Sequence, residues 1–351
     1  MKKTKIIKML NLSGSGFHFI TNNIFARIVS HPIILGFHQV KEKTSCLLDK
    51  RVGVINPADF KKIILYLKRL GYKFVSLEEL LKTVNTSKHQ KVAAVTFDDG
   101  FKSVYDHAYP LMKKLKIPFT LFLTTSLLHP EKLLWLHKLY FCLDKMPRKQ
   151  SNEIFAKYLD SPQIERSVIA NLRKLGNTHK KGLLFEFESD IFEAADLSYA
   201  RELSLIESLY LSKKELFEMI HNGMSVGLHG HKHLPLTYLN KKETKQEVLT
   251  SLEIIKMELK SDPLFYALPF GTSNNFINNI MKELGLLGIL TTQAKIISDA
   301  TSDIPMLPRI LVREGFSDFL RTLNWIYLNF IFHNIPIIFI NQSAAWDTSD
   351  K

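Results

Sequence analysis

Two stretches of the 351-residue chain carry side chains that could hold a metal ion between them. Thr96-Phe97-Asp98-Asp99-Gly100 places two adjacent carboxylates where an apolar run ends. In β/α folds the C-terminal ends of strands are where ligands and catalytic groups collect. Neighbouring carboxylates repel one another unless a cation or a shared proton relieves them. A divalent ion bound by one of them leaves the other free as a base. The same residues could also form a plain Asp-Asp-Gly turn. The second stretch is Leu228-His229-Gly230-His231-Lys232-His233. His229 and His233 are four apart, a spacing that can present two imidazoles to one ion, while His231 would point elsewhere. The glutamate of a zincin helix is absent, so an acid must come from elsewhere, and the corner with Asp98 and Asp99 is the best supplier. A His-rich loop can equally face solvent. A third corner, Phe265 to Gly271, turns through Pro269 and Gly271.

These corners need strands to bring them together. Apolar runs at Pro32 to Phe37, Val92 to Phe97, Phe119 to Leu123, Ser225 to Leu228, Leu264 to Ala267 and Leu287 to Thr291 read as strands. Amphipathic helices alternate with them, which predicts an α/β fold with a mainly parallel sheet. Helix starts are marked by Asn56 before Pro57 and by the pairs Ser76 with Glu79, Ser212 with Glu215 and Asn240 with Glu243. Between about 131 and 210 the pattern turns helical, without the Pro/Gly/Ser composition of a linker. That divides the chain into an N-terminal basic and apolar segment, 1–31, a barrel over 32–312 interrupted by this helical insertion, and an apolar C-terminal segment, 313–351.

Composition narrows the class. Apolar residues make up 46% and charged residues 23%, which excludes a disordered chain. The only cysteines are Cys46 and Cys142, so neither a disulfide framework nor a cysteine zinc site is available. The charge of +13 suits acidic partners, yet the basic residues are scattered and no nucleic-acid motif accompanies them. The start lacks a signal-peptide core, which favours the cytoplasm or the cytoplasmic face of a membrane. The C-terminal run from Thr322 to Trp346 carries no charge; it reads as a buried helix followed by a core strand, Ile337 to Ile340, with peripheral membrane contact as the alternative.

Together, the three corners resemble the NodB-like polysaccharide deacetylase family. The resemblance implies a distorted (β/α) barrel of about seven strands and a hydrolase that removes N-acetyl groups from an N-acetylated sugar of a cell-surface polysaccharide or its precursor. It implies Asp98 as catalytic base, Asp99, His229 and His233 as ligands of a divalent metal, with Zn2+ the default and Ni2+ or Co2+ suited to the same ligands, and Pro269 and Gly271 as a site wall. The sequence departs from the pattern in three places. Gly230 replaces the usual Ser or Thr after the first metal His. Ala267 stands where many members carry an Arg that orients the catalytic Asp, and Arg309 could supply that charge from a later strand. The late histidine motif that carries the general acid is not recognisable, which leaves His333 and His38 as candidates. A member lacking a general acid could be a non-catalytic glycan- or membrane-associated protein, and a phosphoesterase could use the same three ligands.

Overall fold

Short apolar segments become the strands of one large sheet, the longer of them buried on both faces, as a parallel sheet covered by crossover helices requires. They are β1 (Ile33–Phe37), β2 (Lys73–Phe74), β3 (Val92–Asp99), β4 (Phe119–Leu123), β5 (Ser225–Leu228), β6 (Phe265–Ala267), β7 (Gly288–Leu290), β8 (Met306–Leu307) and β9 (Ile310–Leu311). The structure, a computed structural model, describes residues 23–24, 30–86, 90–158, 181–195, 197–295, 297 and 302–332, with backbone alone at 181–185, 188 and 329–332. The strands form one sheet in the order β8-β7-β6-β5-β4-β3-β1-β9, with β2 paired to the start of β3. Every pairing in it is parallel. Its two edge strands, β8 and β9, are separated in sequence only by Pro308 and Arg309. The sheet therefore has to curl until its edges nearly meet, the distorted barrel expected from the sequence. Taking β8 and β9 as one strand split at that seam, and leaving out the two-residue β2, gives the expected seven.

Helices cover the outside: α1 (Leu47–Val52), α2 (Pro57–Arg69), α3 (Leu77–Thr86) and α4 (Tyr109–Leu115). Asn56 caps α2 by accepting the Asp59 N–H at 2.8 Å. At α3 only half of the expected capping box forms, because Ser76 accepts the Glu79 N–H while the Glu79 carboxylate turns to Lys73. Over its described residues the insertion is helical as read, with α5 (Trp135–Lys145), α6 (Arg148–Tyr158), α7 (Lys181–Ala194) and α8 (Tyr199–Leu209). Leu139, Tyr140, Phe155, Phe187 and Ile206 form its own apolar core, which continues into Phe101 and Tyr210 beside the barrel. The β/α rhythm then resumes with α9 (Lys213–His221), α10 (Lys241–Leu259) and α11 (Asn275–Glu283). Complete capping boxes start α9 and α10 at Ser212 and Asn240.

The last described helix, α12 (Phe316–Phe332), buries Phe319, Leu323 and Tyr327 in the main core. Its Tyr327 hydroxyl bonds that of Tyr72 at 3.1 Å. Among the described residues, no helix is long and apolar enough to cross a membrane. The strand expected at Ile337 to Ile340 and the candidate acid His333 lie outside the described residues.

Candidate metal centre

Side chains alternate between faces along a strand, so Asp98 and Asp99 at the end of β3 should point apart. Asp98 keeps the alternation and shares a face with Thr96; the Arg309 guanidinium reaches both. Asp99 breaks it: its φ of 73° is left-handed, a conformation that Asp tolerates better than most residues, and it turns the second carboxylate towards the β5 loop. There His229 Nε2 and His233 Nε2 each lie 3.4 Å from Asp99 Oδ1. All three side chains are buried, and the three ligand atoms lie within 4.8 Å of one another. His233 is itself left-handed, with φ 55°. Strain of this kind persists where the surroundings over-determine it, commonly at functional sites.

The donor set fits a divalent metal. Tetrahedral ligands about 2.0–2.1 Å from one ion stand roughly 3.3–3.4 Å apart, the spacing seen here. Asp99 Oδ1 is buried without a hydrogen-bond partner, a costly state that an ion relieves. The tautomer of His229 fits as well: its Nδ1 lies 2.8 Å from the Ala267 carbonyl, which can only accept. The proton therefore sits on Nδ1, and the Nε2 lone pair faces Asp99.

The two carboxylates are held in different ways. Burial would raise the Asp98 pKa, but the charge and hydrogen bonds of the Arg309 guanidinium outweigh it and keep the group ionised below the usual range. Arg309 is fully buried and binds Asp98 in a fork, Nη1 to Oδ1 at 2.7 Å and Nη2 to Oδ2 at 2.8 Å. Burial opposes ionisation of Asp99 too, yet the surrounding imidazoles of His229, His233 and His38 hold its pKa far down. Burial lowers the His233 pKa to about 3, keeping the imidazole neutral.

The β5 loop is tied down from α10. Gly230 has φ +80°, and a Cβ there would meet Glu247 Oε1 at 3.0 Å and the Tyr266 hydroxyl at 3.2 Å. The buried Glu247 carboxylate accepts the Lys232 N–H at 2.6 Å, so it anchors the loop where the resemblance would place a hydroxyl. His231 turns away, its ring beside the Thr125 hydroxyl at 3.1 Å.

Of the expected wall, the backbone turn is present but the lining differs. Phe270, left-handed at φ 60°, faces the pocket with Leu268 and Thr292, and Pro269 and Gly271 are not among its lining residues. A Cβ on Gly271 would stand 2.2 Å from Thr292 Oγ1; the glycine makes room for the wall instead of forming it. His38 lines the pocket with Nε2 3.9 Å from Asp98 Oδ2. Sequence reasoning missed His137, Glu247, Phe270 and Thr292. His137, on α5, lines the same pocket with Nε2 4.0 Å from Asp99 Oδ2.

A family model described as "Polysaccharide deacetylase" matches residues 85–289. A Staphylococcus aureus protein named poly-beta-1,6-N-acetyl-D-glucosamine N-deacetylase is 26% identical over 160 residues, 45% of this chain and 49% of that one. A Staphylococcus epidermidis protein of the same name is 33% identical over 104 residues, 27% of this chain and 36% of that one. The chain thus spans about half the length, or less, of these curated relatives. Among solved structures, the deacetylase PplD of Streptococcus pyogenes in complex with acetate has a TM-score of 0.55 at 20% identity, covering 84% of this chain and 98% of that one. IcaB from Ammonifex degensii has a TM-score of 0.55 at 19% identity, covering 85% and 97%. Both share the fold.

Proposed function

Because the chain belongs to the polysaccharide deacetylase family, we propose that it hydrolyses the acetamide C–N bond of an N-acetylated sugar in a cell-surface polysaccharide or its precursor, with a divalent ion held by Asp99, His229 and His233. The observation that carries this reading is the pairing of that three-ligand cluster with a second carboxylate, Asp98, kept ionised by Arg309. The names of the curated relatives make β-1,6-linked N-acetylglucosamine the first substrate to test.

When bound, a zinc-like ion supplies Lewis-acid polarisation of the acetamide oxygen and lowers the pKa of a coordinated water. The protein's own groups do the rest. Asp98 accepts the proton of the attacking water as general base; its fork to Arg309 fixes the direction in which the carboxylate accepts. As the C–N bond breaks, the amine needs a proton, and His38 is the pocket group placed to give it, with Nε2 3.9 Å from Asp98 Oδ2. That gap is beyond a direct hydrogen bond, so a proton gained at Asp98 would pass to His38 through a bridging water. Phe270 and Leu268 supply an apolar flank against which an acetyl methyl can pack.

The test is acetate release from N-acetylglucosamine oligomers. Wild type should release acetate, and Asp98→Asn should be slower by about 10²–10⁴-fold, the usual weight of general-base catalysis. Equal rates for the two proteins would refute the assignment of Asp98, and no release by zinc-loaded wild type would refute the activity.

A further inference from the structure

The helical insertion contributes a fourth imidazole to this pocket, beside His38, His229 and His233, and its polarity is opposite to that of His229. His137 is buried, and its ring stacks on Phe101 (centroids 5.0 Å apart, planes at 29°) and on Tyr210 (5.8 Å, 24°). Its Nδ1 lies 2.9 Å from the Tyr210 hydroxyl, which also accepts the Leu134 N–H at 3.1 Å. A tyrosine hydroxyl has one hydrogen to give. Were Nδ1 protonated, that hydroxyl would accept twice and its own buried hydrogen would need another acceptor. The relay Leu134 N–H to Tyr210 oxygen, then Tyr210 O–H to His137 Nδ1, uses each group once. It leaves the imidazole proton on Nε2, the edge that faces Asp99 and the pocket. His229 presents a lone pair there; His137 presents an N–H.

We infer that His137 Nε2–H is a hydrogen-bond donor to the reacting carbonyl oxygen of the substrate, and that Tyr210 is the positioning residue that fixes its tautomer. The inference rests on the deacetylase reading. When water adds to the acetamide carbon, the carbonyl π electrons move to oxygen; the donor stabilises that oxyanion and transfers no proton. The 4.0 Å between Nε2 and Asp99 Oδ2 is beyond a direct hydrogen bond and leaves the N–H directed at whatever enters the pocket. The backbone donor just after the carboxylate pair is already engaged, since Gly100 N–H bonds the Asp98 carbonyl at 3.0 Å. The insertion is thereby part of the reaction centre.

Three variants of the full chain test this: His137→Phe keeps a stacking ring without the donor, His137→Gln restores an amide N–H, and Tyr210→Phe removes the tautomer lock. Their kcat and KM are measured with zinc loaded, zinc affinity is measured on the metal-free protein, and acetate is titrated as a probe anion. Removing an oxyanion donor costs about 10²–10³ in kcat, so His137→Phe should lose that much, with little change in KM and none in zinc affinity. It should also bind acetate about tenfold more weakly. His137→Gln should recover part of both losses, and Tyr210→Phe should fall between wild type and His137→Phe. Wild-type kcat and acetate affinity in His137→Phe would overturn the inference, as would a large loss of zinc affinity, which would make the residue a ligand. If His137→Phe does not fold, equal behaviour of Tyr210→Phe and wild type overturns it. If wild type releases no acetate, the deacetylase reading fails, and acetate affinity still decides whether the donor exists.

Discussion

At the scale of single residues, two adjacent carboxylates stand in different surroundings because different groups face them. In the proposed mechanism, Arg309 on Asp98 and the imidazoles on Asp99 divide the pair into a free base and a ligand. Arg309→Met should therefore raise the Asp98 pKa, since burial then acts without the guanidinium that opposes it. A base works only when deprotonated, so the acid limb of the kcat/KM profile should move to higher pH; an unmoved limb would mean that Asp98 is not the titrating base. Breaking a buried ion pair also costs about 3–5 kcal/mol, which a denaturant titration of the same variant would read. Asp98, Asp99, His229 and His233 could be found in the sequence because chemistry confined to a few consecutive residues leaves a local pattern. The fork from Arg309 spans 211 positions, and only closure of the sheet makes it; the sequence offered the residue and the need for a cation, and the seam between β8 and β9 supplied the geometry.

At the scale of elements, the loop after β5 owes its shape to α10. Glu247→Ala should loosen the backbone around Lys232 and weaken metal binding by about 10–100-fold, the usual cost of losing an outer partner of a metal site, while Glu247→Gln, which keeps an acceptor, should lose less. Isothermal titration of the metal-free variants separates the two, and unchanged affinity in Glu247→Ala would show the anchor to be dispensable. Asn240 starts α10 with a complete capping box, so Asn240→Ala should cost about 1 kcal/mol in denaturant unfolding. The caps at Ser212 and Asn240 were legible because capping is local. His137 was not: it sits among Leu133, Leu136, Leu139 and Tyr140, and the periodicity of an amphipathic helix gives the same pattern for a core histidine as for one aimed into a site. Glu247 was hidden for a related reason, since a glutamate in a helix rich in Lys and Glu reads as a solvated face.

At the scale of the whole molecule, one curled parallel sheet brings corners from opposite ends of the sequence to one pocket. The barrel was legible because strand and helix signals alternate along most of the chain. The strand count was less so, because β8 and β9 are two residues each and leave no periodicity to detect. The uncharged stretch near the C-terminus starts as α12, whose buried Phe319 and Tyr327 pack into the core over the described residues. Since an ion that binds only the folded state stabilises it, zinc at 100 times its Kd should add about 2.7 kcal/mol. Chelation should accordingly lower the Tm of wild type and leave that of a His229→Ala, His233→Ala variant unmoved.

That variant also gives the most direct measurement: zinc titrated into metal-free protein, followed by calorimetry. Wild type and Asp98→Asn should each take up one equivalent, and the His229→Ala, His233→Ala protein should take up none at this site. Equal uptake by wild type and the double variant would contradict the account, because no shared cation would then join the Asp99 corner to the histidine corner.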